Sequence, residues 1–202
     1  GRDLHHLATT AMSWAGSVAV GTDGVVYVID TKDYLLRAFA FDGIAFTEAG
    51  SIGTWALPRD LAVGSDGTVF LSRISARGLC AYLHSGNSFV KIDSFAVDGR
   101  GSYFGVVASP NGNVFLAQAE NGLTILRYHD RRFELLLRSD MFAGPLSPIE
   151  MPNGDILFAT ASNGIRLYNF SNGRIDSVAS FASDNPPSVA DLVLTGEGRI
   201  VS

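Results

Sequence analysis

Disulfide bonding is the first thing this chain lacks: its only cysteine is Cys80, so no internal bridge can form and cysteine-rich zinc sites are excluded. Cys80 lies in the apolar run GLCAYL, which predicts a buried, inert thiol. No stretch reaches the 18 or so unbroken apolar residues of a membrane-spanning helix, so no direct membrane insertion is expected. The N-terminal residues GRDLHHLATT lack the basic start and apolar core of a signal peptide, a reading that leaves a mature or trimmed form open. Basic charge is scarce as well: 15 Lys and Arg stand against 20 Asp and Glu, for a net charge of −5. That balance argues against nucleic acid as a partner and against electrostatic docking on an anionic membrane. A 3.6-residue apolar period of helical length is missing throughout. What remains is a 202-residue chain, 47% hydrophobic and 17% charged, long enough to bury the core of one domain.

The chain repeats itself. VAVGTDGVVYVID (18–30), LAVGSDGTVFLSR (61–73), VVASPNGNVFLAQ (106–118), PIEMPNGDILFAT (148–160) and LVLTGEGRIVS (192–202) each read as an apolar run, a polar turn ending in glycine, and a second apolar run. The turn glycines are Gly24, Gly67, Gly112, Gly154 and Gly198, spaced 43, 45, 42 and 44 residues apart. Asp-Gly and Asn-Gly tolerate positive φ, so the reading at these turns is a two-residue hairpin. Third strands follow as LLRAFAF (35–41), LCAYLH (79–84), LTILRYH (123–129) and IRLYNF (165–170). A second turn and a fourth strand complete each unit. Four short strands per repeat of about 43 residues predict an all-β fold, a β-propeller of about five four-stranded blades. The expected blades are 17–53, 60–97, 105–140, 147–184, and a fifth shared between 190–202 and 2–12. Inner strands are expected near 17–22, 60–65, 105–110, 147–152 and 190–195. Residues 2–12 occupy the slot of a fourth strand, so they are expected to pair with the last sheet and close the ring; one strand would still be missing there, either because the last blade has three strands or because residues beyond 202 supply it.

The first unit resembles an NHL-type repeat, through Val18, Val20, Asp23, Gly24, Val26, Tyr27, Val28, Asp30, Arg37 and Phe39. Lactonase-like and YVTN-type propellers share the same punctuation. The likeness covers most of the chain, but the second and third units lose the Asp that stands at Asp30, and four complete units fall short of the six blades usual in NHL-like propellers. In lactonase-like propellers, acidic and amide residues near the channel hold a catalytic metal, so the resemblance implies a channel cation near Asp60 or Asp191 as one alternative to having no cofactor.

No catalytic motif is present: there is no G-x-S-x-G elbow, H-E-x-x-H, P-loop or EF-hand loop. The four histidines read as turn or strand residues rather than metal ligands, and Asp30 with Asp33 reads as an Asx-type turn. Superposing the repeats is more informative. Ser17, Asp60, Gly105, Ser147 and Asp191 all lie seven positions before a turn glycine, where inner strands begin. Small residues suit a crowded axis; Asp60 and Asp191 could instead bind a cation or a ligand donor. The loops feeding those strands carry Trp14, Trp55, Tyr103 and Phe142, with Arg59 and Arg100 alongside. Rings beside guanidinium groups suit sugars, peptides and aromatic ligands, although rings can also plug the gaps between blades.

The expected ligand-binding set is therefore Trp14, Trp55, Arg59, Asp60, Arg100, Tyr103, Phe142 and Asp191, on the face where the longer loops gather. The leading functional expectation is a non-catalytic binding or scaffold domain for a protein, peptide or carbohydrate, within a larger, extracytoplasmic bacterial protein. The alternative is a metal-dependent hydrolase or lyase of lactonase-like type acting at the channel mouth.

Overall fold

The computed structural model describes residues 6–74, 78–96, 103–118, 122–140, 145–151, 153–160, 164–181, 193–194 and 200–201. Four antiparallel four-stranded sheets follow one another, each a simple meander. The first holds β1 (Ala15–Val20), β2 (Val26–Asp30), β3 (Leu35–Phe41) and β4 (Phe46–Gly53). The second holds β5 (Pro58–Val63), β6 (Val69–Arg73), β7 (Gly78–Ser85) and β8 (Ser88–Ala96). The third holds β9 (Tyr103–Ala108), β10 (Asn113–Gln118), β11 (Gly122–His129) and β12 (Arg132–Ser139). The fourth holds β13 (Pro145–Glu150), β14 (Ile156–Thr160), β15 (Gly164–Ser171) and β16 (Arg174–Phe181). A short pair, β17 (Val193–Leu194) and β18 (Ile200–Val201), begins a fifth. Inner strands β1, β5, β9 and β13 pack side by side in chain order. This is the all-β propeller expected from the repeat, and no helix occurs among the described residues.

The second strands of the second and third sheets read as continuous apolar runs because both faces of those sheets are buried. Val69 and Leu71 face the first blade, while Phe70 between them faces the third. Val114 and Leu116 likewise face the second blade, and Phe115 the fourth. Each of the three larger core clusters is thus an interface between blades. Its centre is a large residue three positions past the turn glycine, set edge-on against a cross-strand pair of the next blade. Tyr27 meets His84 at 5.7 Å and Phe89 at 6.1 Å. Phe70 meets Tyr128 at 5.0 Å and Phe133 at 5.8 Å. Phe115 meets Phe170 at 6.1 Å, with Ile175 in the same cluster. Edge-to-face pairs add about 0.5–1.5 kcal/mol each beyond the area they bury. His84, read from the sequence as a turn residue, is part of this contact, and its Nε2 lies 2.8 Å from the Ala49 carbonyl of the first blade. Cys80 is buried as expected.

The first turns differ in type from the expectation. Only the glycine has positive φ, at 81°, 81°, 85° and 85° for Gly24, Gly67, Gly112 and Gly154. Gly21 N–H donates to the Val25 carbonyl and Gly24 N–H to the Gly21 carbonyl, which makes a three-residue loop ending in a left-handed glycine. The preceding Asp or Asn is there for its side chain: Asp23, Asp66, Asn111 and Asn153 each accept the N–H two residues on, at 3.1, 2.9, 2.9 and 3.1 Å. The second turns include true two-residue hairpins with both residues left-handed, Asp130–Arg131 and Asn172–Gly173.

Inner strands start about two residues earlier than expected in the four full blades. A register shift at the start of each, such as Pro58/Asp60 and Ala15/Val18, extends the pairing upstream. Bulges re-aim side chains, and Asp60 shows the consequence. Its Oδ1 accepts the Ser17 hydroxyl of the first blade at 2.6 Å, and its Oδ2 accepts the Val106 N–H of the third at 2.9 Å. One carboxylate therefore ties three inner strands together. At the ends of the chain the expectation changes. Residues 6–12 form no strand, and Thr10 and Met12 line a recess against the first sheet. Residues 6–12 do not pair with β17 or β18, whose described pairing is with each other; residues 2–5 lie outside the described residues.

Three expectations follow. Asp60→Ala should cost about 2–3 kcal/mol in urea denaturation, because it strips a charged acceptor from two donors in neighbouring blades; Asp60→Asn, which keeps one acceptor oxygen, should cost less. Arg131, held at φ 63°, occupies a position that the fourth blade fills with Gly173. Arg131→Gly should therefore raise stability by about 1 kcal/mol, read as a higher Tm. Burial, helped by Asp23, pushes Tyr27 up to about 12, and burial also raises Tyr82 and Tyr128. Unfolded tyrosines ionise near 10.0, their ordinary value, while these stay protonated in the fold. Stability should thus hold up to about pH 10 and fall as the pH rises through 10 towards 12, a trend that chemical denaturation across that range would reveal.

Candidate functional site

The loop-bearing face is built from the connections between second and third strands and those between one blade and the next. In the first two blades these loops are tied together. The Thr54 N–H donates to the Tyr34 carbonyl at 2.8 Å, and the buried Thr54 hydroxyl lies 2.9 Å from the same oxygen and 2.8 Å from the Ala56 carbonyl. With Thr54 and Ala56 both buried, the residue between them has nowhere to go but outward. Trp55 is left-handed, at φ 57°, and 94% exposed. Tyr34, left-handed at φ 55°, stands exposed across the same tie. Trp14 projects on the other side of the 31–34 loop: its carbonyl accepts the Thr31 N–H at 2.9 Å while its ring is 67% exposed. Neither tryptophan plugs a gap between blades. Left-handed non-glycine residues cost of order 1–3 kcal/mol each, and they persist only where the surroundings over-determine them.

Below this aromatic group the loop is held by charge. Asp30 is fully buried, accepts the Asp33 N–H at 3.3 Å, and lies 3.4 Å from Arg37. Arg37 also reaches Glu48 at 3.1 Å. The Asx-type turn expected at Asp30 is present, and the two NHL-like residues Asp30 and Arg37 meet as an ion pair. Their role is to shape the loop that carries Tyr34.

Of the expected ligand-binding set, the structure places Trp14, Trp55 and Arg59 on exposed surface around the first two blades. Asp60 lies beside Arg59 but serves as the inter-blade tie already described. The side chain of Tyr103 lies outside what is described, as do Arg100, Phe142 and Asp191. Tyr34 was missed by sequence reasoning, since nothing in TKDY marks a left-handed tyrosine. Among the described residues no group of three His, Cys, Asp or Glu side chains could hold a metal ion. Both oxygens of Asp60 are engaged by neighbouring inner strands, and Asp191, the other residue expected near a channel cation, lies outside the described residues. His129 sits at an exposed turn near Asp130 and Glu134, and His6 near Thr9.

The opposite face is less flat than short turns suggest. A cavity of about 260 Å³ opens between the second and third hairpin turns, lined by Asp66, Phe70, Asn111, Asn113 and Tyr128 among others. Phe70 and Tyr128, edge to face at 5.0 Å, are among its lining residues.

No protein-family model and no curated protein matches the chain. Solved structures do. A protein from Lactobacillus plantarum superposes with a TM-score of 0.77 at 13% identity, over 93% of this chain and 58% of its own. The periplasmic gluconolactonase of Pseudomonas aeruginosa gives 0.73 at 17% identity, over 93% and 57%. Virginiamycin B lyase from Staphylococcus aureus gives 0.71 at 17% identity, over 92% and 61%. The chain spans somewhat more than half the length of these proteins. At such identity the likeness establishes the fold, a β-propeller of the kind found in lactonases and streptogramin lyases.

Proposed function

We propose that this chain supplies the larger part of a propeller enzyme of the lactonase or lyase kind, with its substrate taken at the face where Trp14, Tyr34 and Trp55 stand. The observation that carries the reading is the fold shared with a gluconolactonase and a virginiamycin B lyase, an analogy at the level of fold. Trp55 supports the location. An indole held out by strained backbone offers an apolar platform to the face of a ring, and the exposed Arg59 offers guanidinium donors to the oxygens of a lactone or of its carboxylate product. We infer further that the repeat is of NHL-like type, on the Asp30–Arg37 pair, and that residues 1–202 form one propeller domain of a larger bacterial protein. An extracytoplasmic location is supported by the periplasmic relative in fold.

A second reading, non-catalytic recognition of a peptide or carbohydrate, is favoured by the 94% exposure of Trp55, a type of residue enriched at binding hot spots. One experiment separates the two. The purified protein is given glucono-δ-lactone and 6-phosphogluconolactone, ring opening is followed as acid release with and without added divalent ions, and tryptophan fluorescence is titrated with the same compounds and with oligosaccharides. Ring opening above the spontaneous rate, reduced about tenfold or more in kcat/KM by Trp55→Ala, supports the enzyme. Binding that Trp55→Ala abolishes, without turnover, supports recognition. Neither turnover nor binding overturns the site.

A further inference from the structure

The repeat allows polar atoms to be compared position by position, and the interface between the second and third blades stands apart. One residue past the hairpin glycine stand Val25, Thr68, Asn113 and Asp155. Val25 has no polar side-chain atom. The Thr68 hydroxyl donates to Asp66 Oδ2 at 2.9 Å, and Asp155 accepts from the side-chain amides of Asn153 and Asn169 at 2.9 and 2.6 Å. Asn113 is 7% exposed, and its Oδ1 is buried with no hydrogen-bond partner in the protein. The third strands show the same contrast at His84, Tyr128 and Phe170, which share a position. His84 Nε2 has the Ala49 carbonyl, and Phe170 has no polar side-chain atom. Tyr128 is 8% exposed, and its hydroxyl is buried with no hydrogen-bond partner in the protein. The Thr68 hydroxyl close to it is already committed to Asp66. The large majority of buried polar atoms are paired, so two orphans at one interface call for a partner from outside the chain.

Asn113 and Tyr128 both line the cavity of about 260 Å³ on the turn-bearing face, opposite the loops that carry Trp55. The lining is apolar at Phe70, Pro110 and Val114 and acidic at Asp66, and no Lys, Arg or His is among the described lining residues. Asp66 is exposed, and each of its oxygens accepts one hydrogen bond from Thr68, which leaves lone pairs for further donors. The partner must therefore donate hydrogen bonds, answer a negative charge and present carbon to an apolar wall. We propose that this cavity is a binding site for a small primary alkylammonium. Its three N–H donors would serve Asp66, Asn113 Oδ1 and the Tyr128 hydroxyl oxygen, with its carbons against Phe70 and Val114. A neutral sugar would leave the carboxylate unanswered, and an anion would be repelled by it. The volume falls below the ~300–1,000 Å³ of sites for drug-sized ligands, so the alkyl chain is short.

Three substitutions that test this have precedents within the chain. Asp66→Asn removes the charge and keeps the turn, as Asn111 and Asn153 do in the next two blades. Asn113→Val installs the residue type of Val25, and Tyr128→Phe that of Phe170. NMR spectra of the isotope-labelled chain are followed during titration with n-butylammonium, and with n-butanol, tetramethylammonium and glucose as comparators. Saturable shifts centred on the amides of 64–70 and 109–114 are expected for n-butylammonium alone. Asp66→Asn should weaken its Kd about tenfold or more, and Asn113→Val and Tyr128→Phe about threefold or more each. The last two should keep or raise the Tm, since each removes an orphan, so that weaker binding cannot be assigned to a damaged fold. No saturable shift in this region overturns the proposal, as does unchanged affinity in any of the three variants; should one fold poorly, the other two carry the test. Equal binding of glucose or n-butanol would mean that neutral donors suffice, and equal binding of tetramethylammonium that N–H donation is not used. Either result also overturns it.

Discussion

A large side chain three positions past each hairpin glycine, pressed against a cross-strand pair of the next blade, is the contact on which the other features of this propeller depend. A single four-stranded blade has apolar residues on both faces and cannot bury them alone. Tyr27, Phe70 and Phe115 solve this locally, each joining one blade to the next within a single interface cluster. The hairpin glycine and the Asx turn before it matter because they fix where that side chain emerges. A slip of one residue in the second strand would turn Phe70 toward the first blade and Val69 and Leu71 toward the third, exchanging the two interfaces.

At the axis the adhesive is polar. Asp60 links Ser17 and Val106 across three inner strands, and the bulge at the start of β5 aims it there. On the fourth blade a different solution appears, with the Ser109 hydroxyl donating to Glu150 of β13 across the interface at 2.5 Å. Apolar packing in the body of the blades and charge-assisted hydrogen bonds near the channel thus divide the work of holding neighbours in register.

With the scaffold fixed in this way, the loops are free to carry exposed aromatic side chains. Thr54 and Ala56 are buried so firmly that Trp55 is forced into a left-handed conformation and out into solvent. Strain of this kind on a rigid frame marks a surface that the fold itself does not require. The fold is shared with a gluconolactonase and a streptogramin lyase, and a fold by itself does not fix a chemistry.

The sequence by itself determined the architecture. A glycine every 42–45 residues, flanked by short apolar runs, admits little besides stacked four-stranded blades, because strand length, turn chemistry and alternation are local properties. The burial of Cys80 and the Asx turn at Asp30 were legible for the same reason. Turn type was misread because Asp-Gly serves two geometries, and only the backbone shows that Asp23 and its counterparts act through their side chains. Tertiary structure alone decided the rest. Asp60 looks like a channel ligand in sequence, yet its partners are residues 43 and 46 positions away, beyond the reach of local reasoning. The exposure of Trp55 and Tyr34 depends on a tie between two loops 20 residues apart. Whether Val18 is core or surface depends on which blade stands beside it, and the identity of a neighbouring blade is written in no single repeat.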